Sequence, residues 1–289
     1  TRSKERQMPL KIEKVTATGF CVGVKRAIDT LERIAQERGQ VETLREVVHN
    51  RQVMQGLSDK GIKVANSIDE IRGTTVAISA HGVGPQLEQQ IKARDIETIN
   101  LTCSFVRRAQ RAARKLAEAG FFVIVYGDAK HPEVRGILGW ADDRGIATID
   151  IESITSLDPL PRRLGVLSQT TQVPIYFRDF VKKLVDVSLV KDTELHVIDT
   201  ICHDILKRQQ EALELAGRVD LMLIIGSRTS ANTNHLAELC ATATKTYQIE
   251  TAEEIRASWL EEHHHVGVTS GTSTSEQTIE EVIAALRLL

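Results

Sequence analysis

The chain has 289 residues, 42% of them hydrophobic, with 37 lysines and arginines against 39 acidic residues. That length allows one large α/β domain or two to three small ones with a substantial core. The formal charge of −2 is not the strong basic excess of a general nucleic-acid binder. The longest apolar runs, "FFVIVYG" and "DLMLIIG", have strand length, well short of the ~20 residues that span a bilayer. The opening "TRSKERQMPLKIEKV" lacks the apolar core of a signal peptide, so the expectation is a soluble, cytoplasmic protein with neither nucleic acid nor membrane as partner.

Along the chain, three segments read strand, cysteine, amphipathic helix: "KIEKVTATGFCVGVKRAIDTLERIA", "IETINLTCSFVRRAQRAARKLAEAG" and "ELHVIDTICHDILKRQQEALELAG". Each helix is expected to close near a glycine (Gly39, Gly120, Gly217) in a left-handed cap. A second strand follows each time, in "LREVVHN", "FFVIVYGDAKH" and "DLMLIIGSRTS". Counting 28 residues on from Cys21, Cys103 and Cys202 gives His49, His131 and Ser230, each a polar residue past a predicted strand. A third strand ends at His81 in "TTVAISAHG", at Thr170 and Thr171 in "LGVLSQTT", and at Ser273 in "HVGVTSGTS".

The chain therefore reads as three β-α-β-α-β units, over 12–101, 102–197 and 198–289. Alternating strands and helices predict small, mostly parallel sheets, with ligands at the carboxyl ends of the strands. Pseudo-threefold packing is expected to gather Cys21, Cys103 and Cys202, each near a helix start where the dipole favours a thiolate. Cys240 falls outside the repeat and reads as a packing residue, and His263, His264 and His265 read as surface residues. "RRAQRAARK" reads as a solvated helix face or a local field for an anion.

Four cysteines in a chain this long do not suggest a disulfide framework, and with no C-x-x-C pair neither a thioredoxin motif nor a zinc ribbon is expected. Three convergent thiolates suit zinc with a fourth ligand, or a 4Fe-4S cluster with one iron open to substrate; the wide spacing favours the cluster. His49, His81 and His131, with Thr170, Ser230, Ser273 and Asn232, form a polar set suited to a phosphate. Glu133, two residues past His131 across Pro132, is the acid placed to deliver protons.

The strings "GFCVGVKRAI", "EVVHN", "SAHGV", "TCSFV", "HPEVRG", "SQTT", "DTIC" and "GVTSGTS" occur in the order seen in the 4-hydroxy-3-methylbut-2-enyl diphosphate reductase family. The chain resembles that family over residues 12 to 287. The resemblance implies an α/β trefoil of three units around a central iron–sulfur cluster. It also implies reductive removal of the substrate hydroxyl with two electrons and two protons, giving isopentenyl and dimethylallyl diphosphates. By the same resemblance, Cys21, Cys103 and Cys202 are the cluster ligands, and His49, His81, Ser230, Asn232 and Ser273 hold the diphosphate. His131 binds nearby and assists proton delivery, Glu133 is the proton donor, and Thr170 orients the substrate hydroxyl. Electrons are expected from a ferredoxin or flavodoxin.

The chain departs from the family pattern at Ser104, Ala231, Ile205, Ile137 and Trp140, and carries an extra glutamine in "RQQEA". These departures keep open a relative acting on another allylic diphosphate. A non-catalytic cluster-binding sensor is the alternative of a different class; the retained Glu133 and Thr170 speak against it.

Overall fold

The computed structural model describes residues 10–190 and 192–289. The opening nine residues, where the absence of a leader is read, lie outside the described residues. The first stretch of the chain runs β1 (Lys11–Lys14), α1 (Val22–Arg38), β2 (Val41–Leu44), α2 (Arg51–Asp59), β3 (Ile62–Ala65), β4 (Thr75–Ile78) and α3 (Pro85–Ala93). The second runs β5 (Glu97–Asn100), α4 (Ser104–Glu118), β6 (Phe122–Tyr126), α5 (Pro132–Trp140), β7 (Gly145–Thr148), α6 (Glu152–Thr155), β8 (Arg163–Ser168) and α7 (Pro174–Val190). The third runs β9 (Glu194–Ile198), α8 (His203–Ala216), β10 (Leu221–Ile225), α9 (Ala231–Ala241), β11 (Lys245–Ile249), β12 (His265–Ser270) and α10 (Glu276–Leu288).

The strands form three four-stranded sheets, ordered β3-β2-β4-β5, β7-β6-β8-β9 and β11-β10-β12-β1. Every pairing in them is parallel. The pattern is the same each time, and it differs from the expected units in one respect. The strand leading into each cysteine is the last strand of the preceding sheet, so β1 pairs with β12 (Lys11 opposite His265) and not with the strands of residues 41–100. The first unit therefore does not begin with its own strand at residue 12.

Two further expectations are corrected. In "LREVVHN" the strand is β2, which ends at Leu44; Val47 and Val48 are buried in the following turn, so apolar burial there does not signal extended pairing. Gly39 and Gly120 take left-handed φ of +85° and +81° as expected, but Gly217 is absent from the positive-φ positions. Its N–H donates to Leu213 at 3.1 Å, an ordinary continuation of the helical ladder.

Contacts divide the chain into two compact units: residues up to Cys21 with His49–Val53 and Lys207–Leu289, and Val22–Val48 with Met54–Leu206. In the first unit, the wholly buried β10 packs one face against Ile279, Val282 and Leu286 of α10 and the other against Ala212 and Leu215 of α8. In the second, the alanine-rich face of α4 (Ala109, Ala113, Leu116, Ala117) lies against Val123 and Val125 of β6. A Cβ at Gly165 would sit 2.8 Å from Leu116, so a small residue in β8 sets how near that helix comes. No described helix is long and apolar enough to cross a membrane.

Candidate active site

The parallel strands point their carboxyl ends one way within each sheet, and the polar residues singled out by sequence lie just past those ends. In the second unit, Cys103 is the N-cap residue of α4, with its N–H donating to the Ala80 carbonyl at 3.0 Å. Cys202 immediately precedes α8, and its N–H donates to the Thr170 carbonyl at 2.9 Å. In the first unit, the Cys21 N–H donates to the Thr272 carbonyl at 3.3 Å. All three cysteines thus hang from the loop after the third strand of a sheet, and the residues following the three accepting carbonyls are His81, Thr171 and Ser273. Thr171, which the sequence places with Thr170 at the end of the third strand, shares this register with His81 and Ser273.

Cys21, Cys103 and Cys202 are in no disulfide and of intermediate exposure, whereas Cys240 is buried among Leu236, Met222 and Ile224. Burial alone pushes the Cys240 thiol up to about 12, as befits a packing residue. The Cys202 thiol is pushed up to about 11, chiefly by burial and further by neighbouring Cys103, against N–H donation from Ile205 and Asp204. Ile205 therefore serves the sulfur through its backbone, which a threonine at that position would do equally.

Glu133 opens α5 and is only 3% exposed. Its Oε1 accepts the Thr170 N–H at 2.7 Å. Burial raises its pKa, and the backbone and hydroxyl bonds from Thr170 oppose that rise. His131 caps the same helix: its Nδ1 accepts the Glu133 N–H at 3.2 Å, which leaves Nε2 as the proton-bearing atom of the neutral ring. The His81 ring lies edge-on to His131, centroids 5.4 Å apart, with its Nδ1 3.4 Å from the Ser79 hydroxyl.

Loop and helix are held together closely here. Gly82 takes φ +68°, and a Cβ there would lie 2.6 Å from Gln110 Nε2. The Val83 carbonyl accepts from Trp140 Nε1 at 2.9 Å and Gln110 Nε2 at 3.3 Å. Trp140, a departure from the family pattern, thereby ties the His81 loop to the helix that carries Glu133. Ile137, another departure, is fully buried with Ala113 and Val134. Ser104 is an exposed first-turn residue of α4.

In the first unit, Ser230 caps α9, its hydroxyl accepting the Thr233 N–H at 3.4 Å. Asn232 follows in the first turn, 3% exposed, and neither its amide nitrogen nor its oxygen has a partner among the described residues. The Ser273 hydroxyl, 5% exposed, is likewise without one. Buried polar atoms without partners are costly, and such atoms can receive a ligand's oxygens. The helix amino end adds its partial positive charge. Ala231 offers no hydroxyl to that set. His49 precedes Asn50, whose side chain accepts the Val53 N–H at 3.1 Å and caps α2. The histidines read as surface residues are half-buried: His265 is 19% exposed and lies 3.2 Å from Glu13, because β12 starts there against β1.

Unit by unit, this is a threefold-repeated parallel α/β protein with polar groups past its strand ends: hanging cysteines, a buried acid beside a capping imidazole, and buried polar atoms without partners among the described residues. The chain belongs to the LytB protein family, whose model matches residues 12–287. It is 53% identical to the 4-hydroxy-3-methylbut-2-enyl diphosphate reductase of Dehalococcoides mccartyi, over 96% of this chain and 98% of that one. It is 39% identical to the protein of that name from Geobacter metallireducens, over 93% and 94%. Among solved structures it resembles an (E)-4-hydroxy-3-methyl-but-2-enyl diphosphate reductase, described as the terminal enzyme of the non-mevalonate pathway. That match has a TM-score of 0.70 and 33% identity, and covers 97% of this chain and all (100%) of the other.

Proposed function

We propose that this chain is a cytoplasmic 4-hydroxy-3-methylbut-2-enyl diphosphate reductase, which removes the allylic hydroxyl to give isopentenyl and dimethylallyl diphosphates. The reaction consumes two electrons and two protons and releases water. The observation that carries the reading is one backbone residue: Thr170 donates its N–H to Glu133 at 2.7 Å and accepts the N–H of Cys202 at 2.9 Å. A proton donor and a metal-ligand candidate are therefore set by the two peptide groups that flank one residue.

Cys21, Cys103 and Cys202 are the ligands of one 4Fe-4S cluster with an open iron. The donor set fits: three partly exposed thiols outside any disulfide stand at one repeated backbone position, apart from the buried Cys240. When bound, such a cluster supplies electrons singly and a Lewis-acidic iron. Two one-electron deliveries from a ferredoxin or flavodoxin complete the balance.

The chain's own residues do the rest. Glu133, kept protonated over a wider pH range by its burial, gives up a proton at its carboxyl. The Thr170 hydroxyl, bonded to that carboxyl, orients the departing hydroxyl and relays the proton. His131, its Nδ1 engaged by the Glu133 N–H, keeps Nε2–H for binding near the diphosphate and for assisting proton delivery. Ser230, Asn232, Ser273, His49 and His81 bind the diphosphate.

The ligand set is tested by counting iron in anaerobically reconstituted variants. Cys103→Ser is expected to lose the cluster and Cys240→Ser to keep it; a fully loaded Cys103→Ser protein overturns the assignment.

A further inference from the structure

The helix after each cysteine carries an arginine near its start: Arg26 in α1, Arg108 in α4 and Arg208 in α8, which lie five, five and six residues past Cys21, Cys103 and Cys202. Arg26 Nη2 donates to the carbonyls of Leu101 at 3.0 Å and Thr102 at 2.9 Å, the two residues ahead of Cys103. Arg108 Nη2 donates to the carbonyl of Ile201 at 3.0 Å, immediately ahead of Cys202. Arg208 Nη1 donates to the carbonyls of Gly19 at 3.0 Å and Ala17 at 3.3 Å, ahead of Cys21. The series closes on itself: the helix after the first cysteine holds the approach to the second, that after the second holds the third, and that after the third holds the first.

These contacts complement the N–H bonds already described. Each cysteine is fixed on one side by its own N–H and on the other by a guanidinium on the carbonyls that precede it. The approach to each cysteine is irregular backbone, so its carbonyls need partners from outside any ladder. A charge-assisted donor supplies one at roughly twice the strength of a neutral one. The same contacts bring three permanent positive charges to the segments that carry three prospective thiolates. In "RRAQRAARK", Arg107 reaches Asn100 and Arg114 reaches Glu118, so Arg108 is the arginine of that stretch with a bond to a cysteine loop among the described contacts.

We propose that Arg26, Arg108 and Arg208 are the positioning residues of the metal centre, each clamping the backbone ahead of one cysteine and holding a positive charge beside it. This rests on the cysteines being cluster ligands. Arginine suits the role because one Nη carries two N–H donors, which reach two carbonyls from Arg26 Nη2 and from Arg208 Nη1, and because the guanidinium does not lose its proton.

The test uses full-length protein reconstituted anaerobically, with Arg26→Met, Arg108→Met and the matching lysine variants. Arg208, only 4% exposed, is set aside because its replacement threatens folding. Two quantities are read: the rate of iron release to a chelator, and the cluster reduction potential by spectroelectrochemistry. The methionine variants are expected to release iron about tenfold faster, the equivalent of one lost charge-assisted bond. Their potential is expected to move to more negative values, and lysine to restore the potential more fully than the retention. Variants whose thermal unfolding shifts while iron release and potential match wild type overturn the proposal. Wild-type protein that forms no cluster under conditions that load a relative overturns the iron–sulfur reading itself, and this one with it.

Discussion

Glu133 is a carboxyl that folding takes out of water while giving it Thr170 as its partner among the described residues. Its folded pKa lies above the unfolded one, so the folded state binds the extra proton in the window between them. Stability tied to this group is intact below the usual carboxylate range and is lost as pH rises through the raised value. The unfolding midpoint of the wild-type protein is expected to fall across that window, and Glu133→Gln to flatten the fall. With substrate, the same variant is expected to lose about 10²–10⁴-fold in turnover while its iron content and absorption spectrum stay unchanged. Wild-type rates in that variant would remove Glu133 from the proton path.

Asn232 and Ser273 show the opposite economy. Their buried polar atoms have no partner among the described residues, so the ligand-free protein carries their desolvation cost. Ser273→Ala is expected to stabilise the ligand-free protein by about 1 kcal/mol and to raise KM about tenfold. Denaturant midpoints and steady-state kinetics on the same preparation check both signs.

Among the elements, α5 and the loop after β4 decide how His81, His131 and Glu133 stand. They approach through glycines: a Cβ at Gly139 would lie 3.1 Å from the Gly84 Cα, a backbone atom with little room to yield. Gly139→Ala is expected to cost about 1–3 kcal/mol by overpacking and to lower turnover by displacing the His81 loop. Trp140→Phe keeps most of the packing and removes one N–H from the Val83 carbonyl, which retains Gln110. Its cost is expected at about 0.5–1.5 kcal/mol with a small rise in KM; chemical denaturation and kinetics distinguish the two variants.

Across the whole molecule, the threefold repeat was legible because strand, helix and strand recur at one spacing, which puts His49, His131 and Ser230 each 28 residues past its cysteine although the helices run 17, 15 and 14 residues. The partner of β1 was not. Closing a cyclic repeat joins the two ends of the chain, and no local pattern says that Lys11 faces His265. The edge strands β3, β7 and β11 were also invisible, being four or five residues long and mostly unburied. Val47 and Val48 misled in the other direction, since two buried β-branched residues in a turn look like a strand. Within the proposed site, cysteine, histidine and glutamate are residue types whose chemistry the sequence displays, whereas the arginines that hold carbonyls carry no such mark. Any sequence offers a carbonyl at every position, and the third arginine slips by one residue from the repeat.

The most direct test of the proposed activity is an anaerobic turnover measurement. The protein is reconstituted with iron and sulfide, its cluster is confirmed optically, and reduced viologen is followed on addition of 4-hydroxy-3-methylbut-2-enyl diphosphate. Prompt substrate-dependent oxidation, two viologens per product and with isopentenyl and dimethylallyl diphosphates formed, is the predicted result. A fully formed cluster that leaves the viologen reduced when substrate is added would contradict the account.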